Sequence, residues 1–200
     1  MAEYPTGYEY PSGGFPKDLT WDEFLALPYE LRNASLVDGE VVVNPPNAPH
    51  ELVVRNLLLA FTNWLRAAPE PGSRGDVSTQ QPVKINDARG YQPDFSWYPP
   101  EQCTPSDQPP GFSGLPGLVV EILSPSTRTM NLIRKRADYD QIGIDEAWFV
   151  DPGLQSYDVQ VCRRPGADKH FVDFQATGSD VVTSPLLEGF EMKVSELFAR

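Results

Sequence analysis

The sequence predicts a mixed α/β (α+β) fold, with a central sheet of parallel and antiparallel strands flanked by helices. Three observations predict it. From His50 to about Ala67, apolar residues fall at Leu52, Val53, Leu57, Phe61, Trp64 and Leu65, the spacing of a long helix with one buried face. The run Leu118-Val119-Val120-Glu121-Ile122-Leu123 is apolar but for one acid and reads as a strand buried on both faces. A helical stretch and a second apolar strand, Glu146 to Val150, follow it, which is the order of a strand–helix–strand crossover.

The remaining elements follow in order. At 200 residues the chain suggests one domain, with a flexible arm over residues 1–17 and a single domain over 18–200. The start is rich in Tyr, Pro and Gly and has no period. Thr20-Trp21-Asp22-Glu23 is a capping box that opens a short helix to about Leu27, stopped by Pro28. Ala34 to Val43 places Asp38-Gly39 between two β-rich runs, the signature of a tight I′ hairpin. Asn44 to Pro49 carries three prolines, and no helix is expected through it. Strands are read at Thr79–Asn86 and Tyr91–Tyr98 around an Asp87–Gly90 turn. The proline-rich stretch 99–117 reads as a long extended loop. A helix is expected from about Asn131 to Ile142, closed by Gly143. Further strands follow near 156–162, 169–175 and 186–191, and a short helix covers Val194 to Phe198.

Charge and composition narrow the function. The formal net charge is −12, and half of that excess lies in residues 1–50. Such a balance opposes non-specific binding to nucleic acid. Arg128, Arg134, Lys135 and Arg136 form a local basic cluster; an anionic ligand would have to be drawn by it or bridged by metal ions. No apolar run approaches the length of a membrane span. The first residues lack the basic start and apolar core of a secretory signal. A cytoplasmic protein without a membrane partner is expected, with Cys103 and Cys162 as free thiols.

Two acids interrupt β-type runs, Asp94 in Gln92-Pro93-Asp94 and Glu121 in the buried run. A carboxylate on a buried strand is costly unless it is paired, hydrogen-bonded or bound to a metal. Side by side, the two would form a hard oxygen site suited to Mg²⁺ or Mn²⁺. An isolated acid more often ends a strand and faces solvent, a reading that is weak for Glu121 because its neighbours are apolar. Ser124 and Ser126 lie in no nucleophile elbow and read as turn or capping residues. His170 reads as structural. No phosphate loop, dinucleotide fingerprint or zinc spacing occurs.

The chain carries, in this order, Leu36-Val-Asp-Gly-Glu40, Pro45-Pro46, His50, Gln92-Pro-Asp94, Val120-Glu-Ile-Leu-Ser-Pro-Ser-Thr127, Lys135, Tyr139 and Glu146-Ala-Trp-Phe-Val-Asp-Pro152. This set resembles the Uma2 family of restriction-endonuclease-like proteins, within the PD-(D/E)XK nuclease superfamily, over about Trp21 to Val161. The resemblance implies a restriction endonuclease-like core and a Mg²⁺- or Mn²⁺-dependent endonuclease acting on nucleic acid, with DNA as the expected substrate and a homodimer as the expected assembly. Carried over, Asp94 and Glu121 would hold the ion and Glu40 would be a third carboxylate at it. A lysine is expected two residues after the Glu, yet position 123 is Leu. Lys135 is the candidate replacement, reaching back from the next helix; otherwise it is a solvated residue beside Arg134 and Arg136. Relatives tend to carry an Asp where this chain has Asn131. His50 is a candidate general base or proton shuttle, or else a polar residue opening its helix. Glu40 is a metal carboxylate or an exposed strand residue. Two other readings stay open. One is a catalytically inactive nuclease fold serving as a binding or dimerisation module; the other is a β-rich carbohydrate- or protein-binding module.

Overall fold

A computed structural model describes all residues except 1–10, 12, 29–30, 45–46, 80, 105–110, 125–127, 129, 154–157 and 167, with the side chains of 130 and 131 also undescribed. The arm read over 1–17 therefore lies largely outside the described residues, as do Ser126 and the side chain of Asn131. In chain order the elements are α1 (Trp21–Leu25), β1 (Ala34–Val37), β2 (Glu40–Val43), α2 (Ala48–Arg66), β3 (Asp76–Ser78), β4 (Val83–Asn86), β5 (Arg89–Tyr91), β6 (Phe95–Tyr98), β7 (Leu118–Ile122), α3 (Arg136–Ile142), β8 (Glu146–Asp151), β9 (Asp158–Arg163), β10 (Val172–Thr177), β11 (Val181–Thr183), β12 (Glu191–Lys193) and α4 (Val194–Leu197).

The main sheet has six strands in the order β10-β9-β8-β7-β6-β3. Only β7 and β8 run parallel, and the other neighbours are antiparallel. Alternation along β7 divides the core. Leu118, Val120 and Ile122 pack with Val53, Leu57 and Phe61 of α2 and with α4. Val119 packs on the other face with Ala147, Phe149 and Tyr139 of α3. Glu121 shares the parity of Val119, so it projects toward α3. The fold is therefore a mixed α/β one with a large mixed sheet flanked by helices.

A second sheet, in the order β2-β1-β5-β4, carries the hairpin. Asp38 and Gly39 both have positive φ, 52° and 80°, as a I′ turn requires. Thr20 and Glu23 cap α1 reciprocally, and α1 lays Trp21 against Gly90 of β5. A Cβ on Gly90 would stand 2.0 Å from the Trp21 ring. Gly90→Ala is therefore expected to lower stability by about 1–3 kcal/mol through overpacking, read from the shift of the urea unfolding midpoint.

Several elements differ from the sequence reading. Helix α2 begins at Ala48 inside the proline stretch, with Asn47 capping the His50 N–H at 3.1 Å; Pro49 sits in the first turn, where a missing N–H costs nothing. The strand read over 91–98 is broken at Gln92–Asp94, because Pro93 cannot extend a ladder and the chain there leaves the second sheet for the main one. The strand read over 79–86 is shorter, starting at Val83. The helix read from Asn131 is π-helical over Met130–Lys135 before α3 begins. Near the C-terminus the strands are β11 and β12, paired with each other. The apolar residues that suggested a strand at 186–191 include Leu187 and Phe190, which instead plug the α2 face of the core from successive turns. No described helix is long and apolar enough to cross a membrane, and Cys103 and Cys162 are free thiols.

Candidate active site

The site forms where β6 and β7 part. Phe95 pairs with Val120 at the end of the β6–β7 ladder, and Asp94 stands in the bend just before it. Asp94 is fixed there by a 2.7 Å hydrogen bond that its Oδ2 accepts from the Ile122 N–H. Gln92 steadies the approach, accepting from the Ala34 N–H at 3.2 Å and donating to the Leu31 carbonyl at 3.1 Å.

Glu121 is 2% exposed. Two side chains from one helical face meet its two oxygens. Lys135 Nζ donates to Oε2 at 2.7 Å, and the Tyr139 hydroxyl donates to Oε1 at 2.6 Å. Lys135 and Tyr139 are four residues apart, the spacing that stacks side chains on a helix. The wide π-helical turn just before α3 brings Lys135 into register; such turns recur at functional sites. Burial pushes the Glu121 carboxyl above the usual carboxylate range; Lys135 pulls it down, and the Asp94 charge pushes it up again. Burial and the Glu121 carboxylate push the Tyr139 hydroxyl well up.

His50, in the first turn of α2, places Nε2 2.9 Å from Asp94 Oδ1. Burial alone would lower its pKa, but the Asp94 carboxylate, with Glu51 and Glu121, outweighs that and raises it. A histidine raised in the folded state contributes stability that is fully present below its unfolded pKa of about 6.5 and is lost as pH rises through the higher folded value. His50→Gln is thus expected to lower stability more at pH 5.5 than at pH 9, by on the order of 1 kcal/mol, measured by urea unfolding at both values. His50 Nδ1 is buried with no hydrogen-bond partner among the described residues.

Asp94, Glu121, Lys135 and His50 are thus brought together. Glu40 is not joined to them. Its carboxylate, 59% exposed, pairs with Lys17 at 3.1 Å, since it follows the hairpin turn on the solvent side. Among the described residues no group of three or more His, Cys, Asp or Glu side chains is arranged to hold an ion. His170 is exposed and pairs with Asp140 at 2.8 Å. Every member of the basic cluster is paired with an acid. Arg128 pairs with Asp151, Arg134 with Asp38, Lys135 with Glu121 and Arg136 with Asp173, so each cation meets an acid on a different segment.

The sequence reading missed a second layer. The Tyr91 ring lies 5.1 Å from Lys135 Nζ and edge-on to Tyr139, with ring centroids 5.8 Å apart. The Tyr91 hydroxyl donates to the buried Asp138, and Arg89 bridges Asp138 at 3.0 Å and Asp38 at 2.6 Å. Of these, only Asp38 and Tyr139 stand in the family-like motifs read from the sequence, and neither was given a role at the site.

Among the described residues each oxygen of Asp94 and Glu121 accepts one hydrogen bond, and a carboxylate has about four lone-pair sites. These are the residues that could hold a hard divalent ion such as Mg²⁺, which takes one or two carboxylates and completes its shell with water and phosphate oxygens.

Among curated proteins none matches the chain. Among solved structures, that of "a putative nuclease belonging to DUF820 from Anabaena variabilis" has the same fold, with a TM-score of 0.71 at 19% identity, covering 90% of this chain and 97% of that one. Residues 21–195 match the family model described as "Uma2: Putative restriction endonuclease". The chain belongs to the Uma2 family.

Proposed function

We propose that the protein is a Mg²⁺- or Mn²⁺-dependent endonuclease that hydrolyses phosphodiester bonds in nucleic acid, with DNA as the expected substrate. The observation that carries this reading is the buried Glu121, with Asp94 bonded to the N–H of the next residue, Ile122, and an ammonium group, Lys135, joining it from another element. Asp94 and Glu121 would hold the ion, which when bound would polarise the scissile phosphate and activate water. Lys135 Nζ, already turned into the site, supplies positive charge beside developing phosphate charge, the task that a strand lysine at position 123 would otherwise perform. Asp94 orients the His50 ring through Nε2, and proton transfer by His50 would run through that pair. Tyr139 holds one Glu121 oxygen and so fixes the rotamer of that carboxylate.

The test is cleavage of supercoiled plasmid, single-stranded DNA and RNA with Mn²⁺ or with chelator. Cleavage should need the metal and fall at least about 100-fold in Asp94→Asn. Cleavage that persists in Asp94→Asn combined with Glu121→Gln would end this reading. Leu123, where the superfamily carries its lysine, favours a second reading, an inactive nuclease fold that serves as a binding module. It predicts no cleavage, and no Mn²⁺ heat in calorimetry that the double variant loses.

A further inference from the structure

A lysine two residues beyond Glu121 would be held on the same face by the strand pleat itself. Lys135 has no such guarantee, because its position over Glu121 depends on how the segment preceding α3 docks on the sheet. We propose that Asp38, at the tip of the β1–β2 hairpin, is a positioning residue for Lys135, acting as an anchor that clamps this segment to the second sheet. The inference rests on the nuclease reading for its kinetic part alone.

The contacts form one continuous path. Arg134, the neighbour of Lys135, donates to both oxygens of Asp38. Arg89 of β5 donates to the same carboxylate at 2.6 Å and to the buried Asp138 of α3 at 3.0 Å. Asp138 in turn accepts from the Tyr91 hydroxyl, and the Tyr91 ring faces the Lys135 ammonium. One hairpin carboxylate thus ties two arginines, one ahead of Lys135 and one leading behind it. Both φ-positive turn residues hold that carboxylate on a rigid two-residue turn. Charge-assisted bonds from two guanidinium groups are directional as well as strong, so they fix orientation and not merely proximity.

Asp38→Ala, Asp38→Glu and Tyr91→Leu test the clamp against the wild-type full chain. Two readouts are used, Mn²⁺-dependent cleavage kinetics and hydrogen exchange of the 130–138 segment followed by mass spectrometry. In Asp38→Ala, kcat should fall about 10-fold or more while KM for nucleic acid and the Mn²⁺ requirement stay within about 2-fold, as expected for a misplaced catalytic group. Exchange in 130–138 should quicken several-fold while the strands of the main sheet remain protected. Tyr91→Leu should act in the same direction, and Asp38→Glu, which keeps the carboxylate, should recover part of both effects. The clamp is overturned if Asp38→Ala leaves exchange in 130–138 unchanged, or if exchange quickens uniformly across the chain, as for a general loss of stability. If wild-type protein cleaves nothing, the nuclease reading fails while the exchange result still decides the clamp.

Discussion

Lys135→Ala is expected to remove about 3–5 kcal/mol of folding stability, because it strips one partner from a buried ion pair and leaves the other behind. Glu121 is 2% exposed, and its remaining partner would be the Tyr139 hydroxyl. The carboxyl has one escape, which is to keep its proton. Burial already holds it above the usual carboxylate range, with Lys135 pulling against that, so removing the ammonium drives it higher still. An acid whose pKa is raised by folding binds its proton more tightly when folded, so stability increases as pH falls from that raised value toward the ordinary one of about 4.3. The deficit of Lys135→Ala should therefore be largest at neutral and alkaline pH and shrink in acid. Lys135→Met combined with Glu121→Gln should recover most of the stability, since no unpaired charge remains. Under the nuclease reading, cleavage stays at least about 100-fold down in both variants. Urea unfolding from pH 4.5 to 8.5 decides the physical part. An unchanged midpoint for the single variant at pH 8 would show that the pair does not hold the buried charge.

How much of this site was legible in the sequence depends on how far away each partner lies. The acid inside an apolar strand announced its own burial, since a run such as Leu118 to Leu123 has no solvent face. The I′ hairpin and the capping box were equally plain, because their residues interact within a few positions. Which hairpin acid mattered to the neighbourhood of the site was not legible. The reading singled out Glu40, whereas the acid that engages the site's flank is Asp38, and its partners Arg89 and Arg134 stand 51 and 96 residues along the chain. Arg134, Lys135 and Arg136 likewise look equivalent as letters. The π-helical turn sends the middle one inward and the outer two to Asp38 and Asp173, and a local widening of that kind leaves no mark in a 3.6-residue pattern.

The pairing of the basic stretch weakens it as an attractor for anions. Each of its four cations neutralises a carboxylate of the chain, and the net charge of −12 stands behind them. A polyanion approaching this protein meets little free positive charge on that segment. A divalent ion held by Asp94 and Glu121 is then the natural source of local attraction, so that on the proposed reading one ion supports both binding and chemistry.

Glu146→Ala is the second large effect expected, and it isolates stability from chemistry. Glu146 opens β8 and is fully buried, at the end of the strand pair away from the Ile122 and Asp94 contact. Arg163 donates to both its oxygens, at 3.0 and 3.2 Å, Trp148 Nε1 donates to Oε1 at 2.6 Å, and the Ser184 hydroxyl donates to Oε2 at 2.9 Å. Removing the carboxylate leaves a buried indole N–H and hydroxyl without acceptors and a half-buried guanidinium without its counter-charge. The loss should reach about 3–5 kcal/mol. For a chain of this size that is roughly 2–4 °C in Tm per kcal/mol. Glu146→Gln keeps the shape and one acceptor and should lose about 1–3 kcal/mol. At a temperature where both variants remain folded, neither should change Mn²⁺ affinity. Calorimetric unfolding and Mn²⁺ titration on the same samples measure the two quantities together. A stable Glu146→Ala protein would show that water replaces the carboxylate, whereas a weakened Mn²⁺ response at full folding would show that the two ends of the parallel pair are coupled.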